Sequence, residues 1–192
     1  MEFLGLADDE FIRGKVPMTK EEIRILTLVK ARIKPNAIVY DIGAGTGSLS
    51  IEAARLAASG QVYAIEKNVY GIELIKRNAE KFSLNNVTVI AAEAPDGLKD
   101  LPAPDTVLIG GSGSRLLEIL DVITPKLKKA CRLVLNCITI QTLATLLDYL
   151  RTHEDDYDYD AIQVQINRLH KVGKYDMANA INPIYIVTCI KK

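Results

Sequence analysis

Three glycines at alternate positions, Gly43, Gly45 and Gly47, follow the apolar run Ala37-Ile38-Val39-Tyr40 and precede an alanine-rich segment from Leu49 to Ala58. Strand, glycine loop and helix in that order let a backbone turn sharply and approach a ligand closely at the carboxyl end of a strand. The dinucleotide spacing G-x-G-x-x-G would put its third glycine at position 48, where the chain has Ser48. Asp41 stands two residues before Gly43, and Glu66 ends the next apolar run, Gln61-Val62-Tyr63-Ala64-Ile65. A carboxylate beside the loop suits a cationic ligand better than a pyrophosphate. A carboxylate ending the second strand can accept both hydroxyls of a ribose.

S-adenosylmethionine, with its ammonium and its sulfonium, has the matching chemistry. The expected cofactor residues are Asp41, Gly43, Ala44, Gly45, Thr46, Gly47, Glu66 and the adjoining Lys67. The segment Ala92-Glu93-Ala94-Pro95-Asp96 follows the third apolar run, where methyltransferases of this architecture flank the adenine. Glu93 or the amide of Ala94 is expected at the base edge; the same segment also reads as a helix start with Pro95 in its first turn. Gly110-Gly111-Ser112-Gly113 follows the fourth run, where the acceptor is met. Enzymes that methylate base amines carry Asn/Asp-Pro-Pro-aromatic here and catechol-type enzymes carry metal-binding carboxylates, and neither pattern is present. The glycine-serine run leaves a side-chain-poor surface that suits a large flat acceptor, or a flexible connection.

These residues need a scaffold, and the chain alternates short apolar runs with helical patterns. Strands are expected at 37–40, 61–65, 87–90, 106–109 and 132–135, and helices at 49–58, 69–82, about 115–123 and about 141–150. That rhythm predicts a parallel sheet covered on both faces. Ala161 to Leu169 alternates polar and apolar, and Ile184-Tyr185-Ile186-Val187 follows with no room for a crossover helix, so this pair should be antiparallel. Lys171 to Pro183 between them reads as a loop covering the site. Thr19 to Glu22 fits a capping box with Thr19 as N-cap and a Met18–Ile23 staple, opening a helix to about Ile33. The expected fold is α/β: a class I methyltransferase (Rossmann-like), mostly parallel seven-stranded sheet with helices on both faces and an antiparallel C-terminal strand pair. It forms one domain over 1–192, with 1–35 bordering the site.

Composition narrows the function. Lys and Arg total 24, as do Asp and Glu, so no overall field grips nucleic acid. The stretch Met1 to Glu10 lacks the features of a signal peptide, and no apolar run approaches the roughly 20 residues of a membrane span. Cys131, Cys137 and Cys189 form no CxxC pair, and with two histidines no metal cluster is expected. They read as buried thiols of a cytoplasmic protein.

Three segments taken together resemble the decarboxylating precorrin C15-methyltransferases (cobalt-precorrin-6B type) of cobalamin biosynthesis. They are Asp9 to Arg13 with Val16 to Glu22, then Tyr40 to Ser48, then Ile109 to Gly113, and Asn182-Pro183 adds to the likeness. The glycine loop alone marks only the superfamily; the other segments are more specific. The resemblance implies methylation at C15 of a precorrin, a partly reduced tetrapyrrole rich in acetates and propionates, with loss of carbon dioxide from the C12 acetate. It carries cofactor contact to Thr19, Gly43 through Gly47, Glu66 and Ala94. It also implies a homo-oligomer, a tetramer, and a free chain of this length resembles the stand-alone form associated with cobalt-containing substrates. Lys128-Lys129-Ala130 departs from the Lys-Pro-Gly-Gly usual in the family.

The acceptor's carboxylates need cations, and Arg13 and Arg115 are the expected ones beside Gly110 to Gly113; Lys15, Arg168, His170 and Lys171 also lie on segments that can border the cleft. No catalytic base is nominated, because the acceptor carbon belongs to an enamine-like system. Two other functions compete. One is a tRNA or rRNA methyltransferase, disfavoured by neutral charge and the absent amine motif. The other is a non-enzymatic scaffold, disfavoured by the intact glycine loop and Glu66.

Overall fold

In a computed structural model describing residues 4–192, the five apolar runs form parallel strands β1 (Ile38–Ile42), β2 (Gln61–Glu66), β3 (Val87–Ala91), β4 (Thr106–Ile109) and β5 (Arg132–Cys137). Met1 to Phe3, the start of the acidic N-terminal stretch, lie outside the described residues. Helices α1 (Glu21–Ala31), α2 (Ser48–Leu56), α3 (Val69–Lys81), α4 (Leu116–Ile123) and α5 (Ile140–Thr152) cover the sheet. Successive strand residues point to opposite faces. Val39, Leu108 and Val134 accordingly pack with α1 and α2, while Tyr40, Val107, Leu133 and Leu135 pack with α4 and α5. Both faces need apolar side chains, which is why the strands read as unbroken hydrophobic runs.

The sheet is completed by β6 (Tyr157–Val164) and β9 (Ile184–Lys191) in the order β3-β2-β1-β4-β5-β9-β6. β9 is antiparallel to both β5 and β6, so the expected seven-stranded sheet with an antiparallel C-terminal pair is observed. Strand order reverses between β1 and β4, and clefts form at that switch point, beyond the carboxyl ends of the strands.

Four local expectations are corrected. The segment read as a loop from Lys171 to Pro183 instead completes a hairpin, β7 (Asn167–Val172) with β8 (Tyr175–Ala180), turning at Gly173 with φ +61°. Its residues are exposed throughout, so it lacks the apolar run that marks a strand in sequence. The alternating segment ends as β6 at Val164, and Asn167 already belongs to the hairpin. Thr19 is not the N-cap of α1: Lys20 holds that position without a side-chain cap bond, and the free Glu21 N–H donates to Asp8 Oδ1 at 3.0 Å. The cap comes from a carboxylate 13 residues back, brought there by tertiary packing. No helix starts at Pro95; turns lead from β3 to β4, and Leu98 fills the core.

Candidate active site

A cavity of about 540 Å³ opens at the switch point. Its floor is Gly43 to Gly45, and its walls are the ends of β2, β3 and β4, namely Glu66 to Asn68, Ala92 to Ala94 and Gly110 to Gly113. The N-terminal segment Val16 to Lys20 closes one side, and Asn136, Ile138, Ile181 and Asn182 close the other.

Contact distances explain why the loop is glycine. An ideal Cβ on Gly43, at φ +70°, would stand 2.3 Å from Gly111 O. One on Gly45, at φ +57°, would stand 2.8 Å from Pro17 O. The loop is thus clasped between the N-terminal segment and the β4 loop. Gly47 at φ +80° turns the chain into α2.

Glu66 sits at the carboxyl end of β2 as expected. One carboxylate oxygen accepts from Gly45 N–H and the other from Asn68 N–H, each at 2.8 Å. Each oxygen retains a second acceptor site. Gly71 in α3 makes room for it, since a Cβ there would lie 2.9 Å from Glu66 Cγ. Lys67 and Glu93 pair across the mouth at 2.6 Å, and Lys20 faces Asp8 at 3.5 Å. Glu66 is therefore the one charged side chain of this wall without an ion-pair partner among the described residues, which leaves the cleft suited to a cation.

Asp41 is placed elsewhere. It lies within β1, fully buried, and its carboxylate accepts from Ser50 of α2 at 2.5 Å instead of lining the cavity. Its other oxygen has no partner. Burial raises the Asp41 carboxyl to about 6, opposed by the Ser50 hydrogen bond. A carboxyl raised on folding carries no penalty below its unfolded value near 4, and a growing one up to about 6; two pH units correspond to about 3 kcal/mol. Asp41→Asn should therefore stabilise the ligand-free protein by up to about 3 kcal/mol at pH 7.5 and by much less at pH 4.5. Urea unfolding at the two pH values measures this, and an equal gain at both would refute it.

Thr46 is buried with an unpartnered hydroxyl and does not line the cavity. Of the expected acceptor-side cations, neither reaches the cavity wall. Arg13 is exposed on the N-terminal segment, and Arg115 is bound to Glu118 at 2.7 Å and Asp96 at 3.4 Å. Ser112 and its glycines do line it, and they also line a second cavity of about 220 Å³ shared with Leu116, Thr139 and Thr142.

Sequence reasoning missed Asn136 and Arg24. Asn136 is the penultimate residue of β5 and borders both cavities; its Oδ1 lies 3.0 Å from the Thr27 hydroxyl, and its Nδ2 has no partner. A polar residue closing the run Leu133-Val134-Leu135 was its only signal. Arg24 is wholly buried. Its guanidinium donates to Glu52 at 2.5 Å, to Asp8 at 3.2 Å, to Thr19 O at 2.8 Å and to Leu6 O, and lies 4.7 Å from the Phe11 ring centroid. It thereby anchors the segment that closes the cleft.

Fold and site together define a class I methyltransferase. The family model for the precorrin methyltransferase domain matches residues 10–191, and the chain belongs to that family. It is 44% identical to the probable cobalt-precorrin-6B C(15)-methyltransferase (decarboxylating) of Sulfurisphaera tokodaii, over 97% of each chain. Among solved structures it resembles the precorrin-6y C5,15-methyltransferase of Geobacter metallireducens, with TM-score 0.91, 41% identity, and 98% of this chain and 97% of that one covered. The tRNA (m1A58) methyltransferase of Aquifex aeolicus shares the fold alone, at 15% identity and TM-score 0.77 over 95% of this chain and 72% of that one.

Proposed function

We propose that the protein transfers the methyl group of S-adenosylmethionine to C15 of a cobalt-precorrin and releases the C12 acetate carboxyl as carbon dioxide. The observation that carries this reading is the cleft itself: a glycine floor, an unpaired Glu66 carboxylate, and a side-chain-poor rim at Gly110 to Gly113, in a chain matched end to end by precorrin methyltransferases.

S-adenosylmethionine supplies a methyl carbon already activated by the sulfonium. Glu66 uses its free acceptor sites for the ribose hydroxyls, while Gly45 N–H and Asn68 N–H hold it in place. Ala94 and Glu93 border the adenine edge, Lys67 restrains Glu93, and Thr19 closes the N-terminal side. Gly110 to Gly113 let the macrocycle slide against backbone; a Cβ on Gly113 would stand 3.1 Å from Glu93 Oε1. The electron pair of the acceptor's enamine-like system would form the new carbon–carbon bond as the methyl–sulfur bond breaks and its pair stays on sulfur, and the pair of the broken carbon–carboxyl bond would pass into the macrocycle as carbon dioxide leaves. The protein's task is alignment, which alone can supply up to about 7–11 kcal/mol.

The test is incubation with cobalt-precorrin-6B and labelled cofactor, followed by mass measurement. One methyl gained with one carbon dioxide lost is expected; methyl gain without that loss, or labelling of tRNA instead, would overturn the reading. In the same assay Glu66→Gln should weaken cofactor binding by about 10- to 100-fold, since one hydrogen bond to a charged group is worth about 1.5–3 kcal/mol. Glutamine has one oxygen for the two amides that Glu66 now satisfies.

A cytoplasmic homotetramer completes the proposal. The buried, unpaired Cys131, Cys137 and Cys189 suit a reducing compartment, and no helix among the described residues is long and apolar enough to cross a membrane. Edge strand β6, with Tyr159 exposed, offers an unpaired backbone edge to a second copy. Light scattering measures the mass.

A further inference from the structure

Gly110 to Gly113, Asn136 and Ile138 line the main cavity and the second one alike. The second cavity adds Leu116, Leu135, Thr139 and Thr142, and no charged side chain among the described residues lines it. Its volume of about 220 Å³ lies below the roughly 300–1,000 Å³ of cavities that take whole ligands. It therefore fits one substituent of a larger molecule seated in the main cavity.

The walls of this cavity are apolar where they are fixed, because Ile109, Leu116 and Leu135 belong to the core. The polar groups it offers are an amide and hydroxyls, all neutral. Asn136 Nδ2 is buried without a partner. The Thr27 hydroxyl, which also reaches Ile23 O at 2.7 Å, lies 3.0 Å from Asn136 Oδ1 and holds that end toward α1, leaving the NH2 end as a donor. The Thr139 and Thr142 hydroxyls lie 2.8 Å apart at the start of α5. One donates to the other, so the accepting hydroxyl keeps its own hydrogen for a ligand.

We propose, resting on the reaction assigned above, that the second cavity receives the acetate carboxylate of the acceptor that leaves as carbon dioxide, held by Asn136 and the Thr139–Thr142 pair. A carboxylate there meets neutral donors and apolar walls but no cation, so its charge is poorly compensated. Carbon dioxide is neutral and loses nothing in the same place. The cavity thus favours departure of charge from the carboxyl group. The bond from the acetate methylene to the carboxyl carbon breaks, its electron pair enters the conjugated ring, and carbon dioxide leaves. The ring gives a pair to the methyl carbon, whose bond to sulfur breaks with its pair left on sulfur, so the charges balance. The wall shared at Gly110 to Gly113 sets the two sites side by side, within reach of one macrocycle.

The test uses the full-length protein with cobalt-precorrin-6B and S-adenosylmethionine, and reads carbon dioxide release and methyl gain together. Thr142→Lys brings an ammonium to the cavity. Its kcat for carbon dioxide release should fall about tenfold or more while KM does not rise, because a cation holds the charged substrate better than the departing product. Asn136→Ala removes the amide donor. Its KM should rise about tenfold, with S-adenosylhomocysteine affinity within about twofold of the unaltered protein. Melting curves control for folding, and the half-buried Thr142 carries the test if Asn136→Ala does not fold. An unchanged kcat in Thr142→Lys, or a raised KM, would overturn the proposal. So would a loss of S-adenosylhomocysteine affinity in Asn136→Ala that matches its rise in KM, since Asn136 would then serve the cofactor. If the unaltered protein turns over no cobalt-precorrin-6B, the reaction assigned above fails and the subsite falls with it; turnover with both variants unaffected overturns the subsite alone.

Discussion

Arg24→Met is expected to destabilise the protein by about 3–5 kcal/mol, the cost of leaving a buried partner charge uncompensated. Arg24 is wholly buried, and Glu52, its partner at 2.5 Å, is 1% exposed. With the guanidinium gone, Glu52 keeps, among the described residues, the Gly5 and Leu6 amides at 2.7 and 3.3 Å, and Asp8 loses a contact at 3.2 Å. For a domain of this size each kcal/mol moves the melting temperature by about 2–4 °C, so a drop of roughly 6–20 °C is expected by calorimetry. Lysine should not rescue it, because one ammonium cannot reproduce the planar fork that serves Glu52, Asp8 and Thr19 O together. Arg24→Met/Glu52→Met removes both charges of the central pair and should recover much of the stability. It should not restore cofactor affinity, because the Thr19 carbonyl at the cleft's edge still lacks its donor. If the double variant recovers affinity in step with stability, Arg24 does not position the segment.

Gly43→Ala is expected to cost about 2–5 kcal/mol, combining about 1–2 kcal/mol for left-handed backbone with about 1–3 kcal/mol for overpacking. The new carbon would meet Gly111 O at 2.3 Å and Gly111 N at 2.8 Å, and backbone there cannot rotate aside. The glycine loop and the β4 loop must separate, which would deform the floor of the cleft proposed to hold the cofactor. Cofactor affinity should fall by at least about 100-fold, or about 2.7 kcal/mol. Gly111→Ala is the contrast: a Cβ there meets nothing within 4 Å, so it should leave stability nearly unchanged. Equal melting temperatures for the two variants would show that the clasp is not a structural constraint.

Much of this was legible in sequence for a physical reason. Strands buried on both faces need continuous apolar runs, and a parallel sheet needs helices between them, so strand and helix order followed from local pattern. Gly43 and Gly45 marked the floor because only glycine tolerates both left-handed backbone and contact this close. Glu66 was legible because it terminates a strand at the ligand end of the sheet.

What tertiary structure decided concerns where charges point and what supports them. Asp41 read as a cleft residue because it precedes the loop, yet it is still within β1, where alternation turns it toward α2 and Ser50. The cap of α1 comes from Asp8, and Arg24 is buried by partners distant in the chain, so no local spacing announces either. The exposed β7–β8 hairpin has no apolar run to betray it, and its orientation comes from an ion pair between positions 146 residues apart. Sequence by itself determined the sheet, the glycine floor and Glu66, because these depend on periodicity, backbone freedom and strand ends. Only the folded chain decided which carboxylate faces the cleft and which charges around it are paired, because charge pairing is a long-range property of packing.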